Sequence, residues 1–307
     1  MKDISKYQAA IPAFYTCYDG NGEVDREKTI SYAKMLANKG VKGLYLCGSS
    51  GECVYLEEKE RMRSLEYVVE AVSGKMTIIA HVAAPSTAQS VRLARHAREC
   101  GCDALSAMPP LYYREGEDAL ADYWNAIADA GQTDFFIYNI PSLSGYTLSE
   151  RLLRRMLRNP YVAGMKNTSL PAQDMLTYKA LGGENFVVFN GPDEQYVSGR
   201  LMGADGGIGA TYSSMPELFI QMEALVQKGD FTTAMQIQRD VCAIISDMFA
   251  CDGSLYAVCK AVIREQCGFD FGGVRAPLMQ VTEADSPRIR AISQRIEKAV
   301  AKWTQNY

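Results

Sequence analysis

The sequence has only two histidines, no CxxC pair, and no apolar run as long as the roughly 18 residues that suggest a membrane span. Its nine cysteines are odd in number and scattered, so metal-ligand and disulfide frameworks both fit poorly. Free thiols suit a reducing cytosol, and the N-terminal MKDISKYQAAIPAFYT lacks the apolar region of a signal peptide. We therefore expect a cytoplasmic protein with no metal site.

A basic excess is also lacking. The net charge is −4 and the pI about 5.4, which argues against a nucleic-acid footprint and against a polybasic membrane patch. Small-molecule partners remain. With 307 residues, 48% of them apolar, the chain can bury a large core as two ordinary domains or as one α/β barrel.

What the sequence does contain is a regular alternation of β-like and helical segments. Short apolar runs begin at Ala9, Val41, Met76, Asp103, Asp134, Tyr161, Phe186 and Asp205. Helical patterns separate most of them, at about 25–39, 57–72, 87–100, 118–130, 149–158, 172–181 and 194–202. This alternation predicts a parallel sheet that is covered on both faces.

Eight such units predict an α/β fold of the (β/α)8 TIM barrel type. A doubly wound open sheet is the alternative, but the GxGxxG fingerprint that usually follows its first strand is absent. After about residue 215 the pattern is helical throughout, which is more than one barrel-closing helix requires. We expect a catalytic barrel domain at 1–235 and a C-terminal helical segment at 236–307 that packs on the barrel.

The run YVAGMKNTS places a lysine at the end of the sixth predicted strand. Val162, Gly164 and Lys166 share one face of this strand, and Gly164 is expected to leave room beside the lysine stem. Burial favours the neutral amine, which can attack a carbonyl and form a Schiff base. A buried ion pair, or a lysine that extends to the rim, explains this strand alone equally well.

The fifth predicted strand ends in Tyr138-Asn139-Ile140-Pro141. The hydroxyl of Tyr138 can donate and accept hydrogen bonds and could therefore relay protons. Without a partner, a core tyrosine with a satisfied hydroxyl is the better interpretation. Lys166, at the end of the next strand, supplies such a partner.

A glycine- and serine-containing turn, Gly48-Ser49-Ser50-Gly51-Glu52, follows the second strand. The hydroxyls of Ser49 and Ser50, with backbone N–H groups ahead of a helix, can bind a carboxylate or phosphate. An ordinary turn is the alternative. Cys47, directly before the turn, is either a thiol near the site or a small buried hydrophobe.

Two further strand ends carry candidate residues. Asp193 and Glu194 follow the seventh strand, where they could bind substrate hydroxyls or stabilise the first turn of the next helix. Glycines at 206, 207 and 209 in the eighth strand let the backbone approach a ligand closely. In other barrels a segment of this kind cradles a phosphate, so a phosphorylated substrate is an alternative.

Four motifs occur in order at these strand ends: GSSGE at 48–52, YNIP at 138–141, GMK at 164–166 and GADGGIG at 203–209. Through them the chain resembles the pyruvate-dependent class I aldolase family, from about Ile11 to Leu278. That family includes dihydrodipicolinate synthases and sialic acid lyases. Its likeness implies that Lys166 forms the Schiff base and Tyr138 relays protons. It also implies that no external cofactor is needed, because the iminium is the electron sink.

The resemblance assigns further roles by position. Ser49 and Ser50 would hold the pyruvate carboxylate. Tyr112 resembles the tyrosine that, in the synthase branch, reaches into a neighbouring subunit's site, so a homotetramer is expected. Ile208 matches a position whose backbone carbonyl lies near the bound keto acid.

The branch of the family can be argued from polar and apolar positions. The synthase branch usually has an arginine where this chain has Leu143, and a leucine cannot bind a second carboxylate. The sialic acid branch has polar or small residues that bind the sugar part, and here they resemble Thr168, Gly191, Asp193, Glu194 and Gly209. Ala210 departs from this branch, which tends to have serine at that position.

The resemblance therefore leads us to expect a lyase that cleaves N-acetylneuraminate to N-acetylmannosamine and pyruvate, with no nucleic-acid or membrane partner. Three alternatives remain open. They are the synthase, against which Leu143 argues, an aldolase for another 2-keto-3-deoxy sugar acid, and a keto-acid binding protein without activity.

Overall fold

The computed structural model describes residues 4–304 and contains one parallel eight-stranded sheet. Its strands are β1 Ala10–Pro12, β2 Gly43–Leu46, β3 Thr77–His81, β4 Ala104–Ala107, β5 Asp134–Asn139, β6 Val162–Asn167, β7 Val187–Asn190 and β8 Gly206–Gly209. Neighbouring strands pair in the order β1-β8-β7-β6-β5-β4-β3-β2. A parallel bridge between Ala13 and Tyr45 connects the two ends of this order. The predicted TIM barrel is confirmed, and the open doubly wound sheet is wrong.

Helices follow the strands and cover the outside of the barrel. They are α1 Arg26–Asn38, α2 Glu58–Val72, α3 Thr87–Glu99, α4 Glu117–Gly131, α5 Pro141–Ser144, α6 Glu150–Met156, α7 Gln173–Gly182, α8 Tyr196–Leu201, α9 Pro216–Gln227, α10 Phe231–Phe249, α11 Leu255–Cys267 and α12 Ser286–Thr304. None of the helices among residues 4–304 combines the length and apolar character that crossing a bilayer requires.

Local sequence signals explain where several helices begin. The carboxylate of Asp25 accepts a hydrogen bond from the N–H of Lys28 at the start of α1. Glu57 and Glu60 form a reciprocal capping box at the start of α2. Such side chains satisfy N–H groups that have no partner within the helix, so they fix the first turn.

The strands are short and nearly all their residues are buried, because side chains fill the barrel interior and helices cover its exterior. This burial on both faces explains the continuous apolar runs in the sequence. Because the eight strands are parallel, their carboxyl ends and the turns after them lie at one end of the barrel.

Three helices extend the chain after α9. Helix α10 packs against α9 and α12 and against the 3-10 turn Asp193–Gln195, and α11 packs against α12. The side chain of Gln238 on α10 accepts a bond from Val197 N at 3.0 Å and donates to Asp193 O at 3.1 Å. The C-terminal helices therefore contact the turns at the carboxyl end of the barrel. The division of the chain at residue 235 stays a prediction.

Candidate active site

A lysine and a tyrosine on adjacent strands form the centre of the candidate site. The register of β5 and β6 places Tyr138 directly beside Lys166. The Nζ atom of Lys166 donates to the Tyr138 hydroxyl at 3.2 Å. Both residues are buried, with 6% and 2% of their surface exposed. Because backbone pairing between strands sets the alignment, the two side chains meet without help from a flexible loop.

Aromatic rings enclose the amine. Lys166 Nζ lies 4.3 Å from the centre of the Tyr138 ring and 5.1 Å from that of Tyr45, distances at which a cation is attracted to a ring face. The rings of Tyr45 and His81 each pack edge-on with that of Tyr138, with centroids 6.1 and 5.9 Å from its own. Burial lowers the pKa of His81 to about 3, so this imidazole is neutral beside the amine.

Gly164 has a different neighbour from the one expected. A Cβ atom there would overlap the carbonyl oxygen of Val187 and the ring of Phe136, so these groups, rather than the lysine stem, are nearest. The expectation that Gly164 makes room for Lys166 is therefore wrong. The glycine instead allows β6 and β7 and the Phe136 ring to pack closely inside the barrel.

The turn after β2 is held on both sides. The Thr16 hydroxyl donates to Gly51 O at 2.8 Å, and Nδ1 of His81 donates to Cys47 O at 2.9 Å. Cys47, directly before the turn, and Glu52, its last residue, both have positive φ, at 54° and 59°. Non-glycine residues rarely adopt this conformation unless the surroundings impose it, so the turn is constrained rather than loose.

Within that turn Ser50 is buried, and Ser49 lines a cavity of about 300 Å³. Leu143, in the short helix α5, lines the same cavity and is 60% exposed, so α5 and the β2 turn face one space. Cys47 is buried, and burial raises the pKa of its thiol to about 11. The thiol is therefore protonated at neutral pH, which agrees with a small buried hydrophobe.

Asp193, after β7, is a buried carboxylate with a defined environment. One of its oxygens, Oδ2, accepts from the N–H of Thr211 at 2.7 Å and from its hydroxyl at 2.6 Å. The other, Oδ1, lies against Gly209, where a Cβ atom would overlap it. Burial raises the pKa of Asp193 to about 6, while the bonds from Thr211 and the charge of Lys166 act in the opposite direction.

A second cavity, of about 630 Å³, collects most of the residues expected to bind a sugar. Its lining includes Thr168, Gly191, Asp193, Glu194 and Ala210. The hydroxyl of Thr168 is buried and has no hydrogen-bond partner among residues 4–304. Gly191 packs directly against that hydroxyl, since a Cβ there would overlap it.

The three remaining predicted positions differ in their surroundings. Ile208 is fully buried in β8, whereas Tyr112 is 91% exposed and has a positive φ of 89°. The carbonyl oxygen of Ala210 accepts from the hydroxyl of Tyr15 at 2.5 Å. The Tyr112 ring contacts that of Tyr113 and does not reach the Lys166–Tyr138 pair within this chain.

Sequence reasoning gave no supporting role to several residues around the centre. Tyr45, His81, Glu52 and Lys260 are buried near the β2 turn or the amine, and Tyr256 on α11 lines the cavity of Ser49. The sequence does contain a signal for Tyr45 and His81, because each is a residue with a polar group inside an otherwise apolar strand run. Nothing in the spacing of Lys260 or Tyr256 connects them with residues some 200 positions earlier.

The comparisons with known proteins agree with this geometry. The sequence matches the dihydrodipicolinate synthetase family over residues 6–296. It is 44% identical to the N-acetylneuraminate lyase of Mediterraneibacter gnavus, over 99% of this chain and 96% of that protein. Identity to the N-acetylneuraminate lyase of Salmonella agona is 33%, over 95% of this chain and 98% of that one.

Among solved structures, the Ruminococcus gnavus sialic acid aldolase catalytic lysine mutant superimposes with a TM-score of 0.97. The two sequences are 43% identical, and the match covers 99% of this chain and 100% of that chain. A buried lysine at the carboxyl end of a (β/α)8 barrel defines the class, which is that of the lysine-dependent barrel aldolases. The chain belongs to the dihydrodipicolinate synthetase family of pyruvate-dependent class I lyases.

Proposed function

We propose that this protein cleaves N-acetylneuraminate to N-acetylmannosamine and pyruvate, through a Schiff base on Lys166. The observation that carries the proposal is the contact of Lys166 Nζ with the Tyr138 hydroxyl at 3.2 Å, at the carboxyl end of the barrel. Relatives at 44% and 33% identity that are N-acetylneuraminate lyases support the choice of substrate.

The chemistry begins with the amine. Lys166 attacks the C2 ketone of the open-chain sugar acid, and loss of water gives an iminium that withdraws electrons from the C3–C4 bond. Tyr138 takes the proton of the C4 hydroxyl and passes its own to the substrate carboxylate. The C3–C4 bond then breaks, which releases the aldehyde of N-acetylmannosamine and leaves an enamine. Protonation at C3 and hydrolysis return pyruvate and the free lysine.

The part of the substrate that each residue binds follows from where that residue lies around Lys166. Ser49 and Ser50 bind the carboxylate of the keto acid from the β2 turn. Ile208 presents its backbone carbonyl to the same end of the substrate. The hydroxyl-rich tail occupies the cavity of about 630 Å³, where the unpartnered hydroxyl of Thr168 gains a hydrogen bond. The tail is also bound by Gly191, Asp193, Glu194 and Gly209.

Leu143 disfavours the synthase reaction. It lines the cavity of Ser49, and its apolar side chain cannot pair with the carboxylate of a second, amino-acid-derived substrate. Ala210 lines the tail cavity and has no hydroxyl, so its side chain makes no hydrogen bond to the sugar. The chemistry at Lys166 does not depend on that contact.

No external cofactor enters this mechanism, and the partners are small molecules. We further propose a cytoplasmic homotetramer, in which the exposed Tyr112 lies at an interface. The exposure of a tyrosine and its neighbour Tyr113, at 91% and 72%, supports burial by another subunit.

Trapping with borohydride tests the proposal. Pyruvate plus borohydride should leave one stable adduct on Lys166, detected by intact mass and peptide mapping. Lys166→Ala should take up none, whereas Lys42→Ala, at an exposed lysine, should behave as the wild type. Sialic acid, other 2-keto-3-deoxy sugar acids, and pyruvate with aspartate semialdehyde are then compared as substrates. An adduct elsewhere, or sialic acid turnover by Lys166→Ala, would contradict the mechanism.

A further inference from the structure

The turn that carries Ser49 and Ser50 ends in a fully buried carboxylate. The side chain of Glu52 has no exposed surface, and its backbone φ is 59°. The Oε1 atom accepts from Lys260 Nζ at 2.7 Å, and Oε2 accepts from the N–H of Arg275 at 2.6 Å. Both donors belong to the C-terminal part of the chain, so the turn is attached to residues beyond the barrel.

Lys260 is buried as deeply as its partner. Only 3% of its side chain is exposed, and Nζ also donates to Gly273 O at 2.7 Å. The ring of Tyr18 lies 4.8 Å from the same atom. Burial lowers the pKa of Lys260, and the charge of Glu52 opposes that effect. The amine therefore bridges the β2 turn, α11 and the loop after α11.

A buried ion pair contributes little net stability to a protein. Desolvation of both charges offsets most of their attraction, and apolar residues of similar volume often give equal or greater stability. A pair in this position does, however, fix the direction of the turn. Each of its hydrogen bonds has defined geometry, and the strained φ of Glu52 persists only while the surroundings hold it.

We propose that Lys260 and Glu52 are positioning residues that hold the β2 turn in the shape that binds the substrate carboxylate. The inference rests on the proposed function of Ser49 and Ser50. It gives α11 a role in the substrate site, although Lys260 does not line the cavity of Ser49. The amide and hydroxyl groups of the turn bind only if they converge on one point, and a displacement of about 1 Å is enough to weaken such a site strongly.

The test measures carboxylate binding separately from stability. For each variant, the rate of borohydride trapping is followed against pyruvate concentration, and the unfolding midpoint is measured in parallel. Lys260→Met should raise the half-saturating pyruvate concentration roughly tenfold, or about 1.4 kcal/mol of binding. At saturating pyruvate the adduct should still form on Lys166. For sialic acid, KM should rise more than kcat falls.

The double variant Lys260→Met with Glu52→Met separates positioning from simple stabilisation. Removing both charges leaves none uncompensated, so the unfolding midpoint should recover toward that of the wild type. The half-saturating concentration should stay raised, because the turn has lost its anchor. If Lys260→Met does not fold, the double variant decides alone.

A matched control uses another lysine pair. Lys179 donates to both oxygens of Asp205 at 2.8 and 2.9 Å, at the amino end of β8 and away from the turn. Lys179→Met should lower the unfolding midpoint and leave half-saturation within about twofold of the wild type.

Three results would overturn the inference. The first is a half-saturating pyruvate concentration that is unchanged in Lys260→Met, and the second is recovery of both pyruvate binding and stability in the double variant. The third is an equal rise of the half-saturating pyruvate concentration in Lys179→Met. Failure of the proposed function has a different signature, since the wild type itself would then take up no pyruvate on Lys166.

Discussion

Asp193 holds a carboxylate in a place where its charge destabilises the folded protein. Burial raises its pKa from the usual 3.8 to about 6, although Thr211 donates two hydrogen bonds to it. Both bonds go to Oδ2, so an asparagine can keep them with its carbonyl oxygen. The variant Asp193→Asn therefore removes the charge and leaves the local geometry intact.

The magnitude follows from the two pKa values. A rise from 3.8 to about 6 corresponds to about 3 kcal/mol at 1.36 kcal/mol per pKa unit. Because the folded pKa is the higher one, this stability is fully present below pH 3.8. It is lost as the pH rises through about 6. Asparagine does not titrate, so the advantage of Asp193→Asn in unfolding free energy should grow by about 2–3 kcal/mol between pH 4 and pH 7.

Urea unfolding at fixed protein concentration, followed by tryptophan fluorescence across this pH range, measures the difference. Asp230→Asn is a control that should respond little in this range. Its carboxylate caps α10 by accepting from Thr233 N, and this bond holds its pKa below the usual 3.8, so its contribution to stability is lost only below that pH and the difference from the wild type should stay nearly constant between pH 4 and pH 7. A difference for Asp193→Asn that stays flat between pH 4 and 7 would refute the reasoning.

The same substitution should act on one half of the substrate only. Asp193 lines the tail cavity, so Asp193→Asn should raise KM for sialic acid. The half-saturating pyruvate concentration in borohydride trapping should not change. An equal effect on both would show that Asp193 acts on the carboxylate end or on the whole site.

Three further substitutions have defined outcomes. Tyr138→Phe should lower kcat by roughly 10²- to 10⁴-fold, the usual contribution of a proton-transfer group, while pyruvate still forms the trapped adduct on Lys166; unchanged kcat would contradict the relay. Thr168→Val removes an unpartnered buried hydroxyl, so the free energy of unfolding should stay the same or rise, while KM for sialic acid increases by about tenfold. A loss of stability would mean that the hydroxyl already has a hydrogen-bond partner. Gly164→Ala forces a Cβ into the carbonyl of Val187 and should lower the free energy of unfolding in urea by about 1–3 kcal/mol. If the variant unfolds at the same urea concentration as the wild type, this steric reasoning is wrong.

The fold was predictable because burial on both faces of the sheet gives each strand a short apolar sequence. Runs such as 43–47 and 186–189 are continuously apolar, and the turns between strands and helices contain glycine, serine or proline. Eight repeats of this pattern leave few topologies. The contact between Tyr138 and Lys166 was also expected, because two adjacent parallel strands bring the residues at their carboxyl ends together.

Other parts of the site depend on contacts that no local pattern encodes. Glu52 and Lys260 are 208 residues apart, and the helical pattern around Lys260 looks like that of any amphipathic helix. The packing of Gly164 was misjudged for a related reason. Alternation along β6 predicts which face a residue shares, but it does not say which ring from β5 or which carbonyl from β7 occupies the space.

The contacts of α10 and α11 also bear on the order in which the chain is made. All eight strands lie within the first 209 residues, so a nascent chain can in principle complete the barrel early. Gln238, which bonds the turn after β7, and Lys260, which bonds the turn after β2, are synthesised afterwards. A chain that ends after α9 would have every strand and the Lys166–Tyr138 pair, yet it would lack these two contacts with the turns after β7 and β2. In this protein the helices made after the last strand, rather than closure of the barrel, supply the last contacts of these two turns.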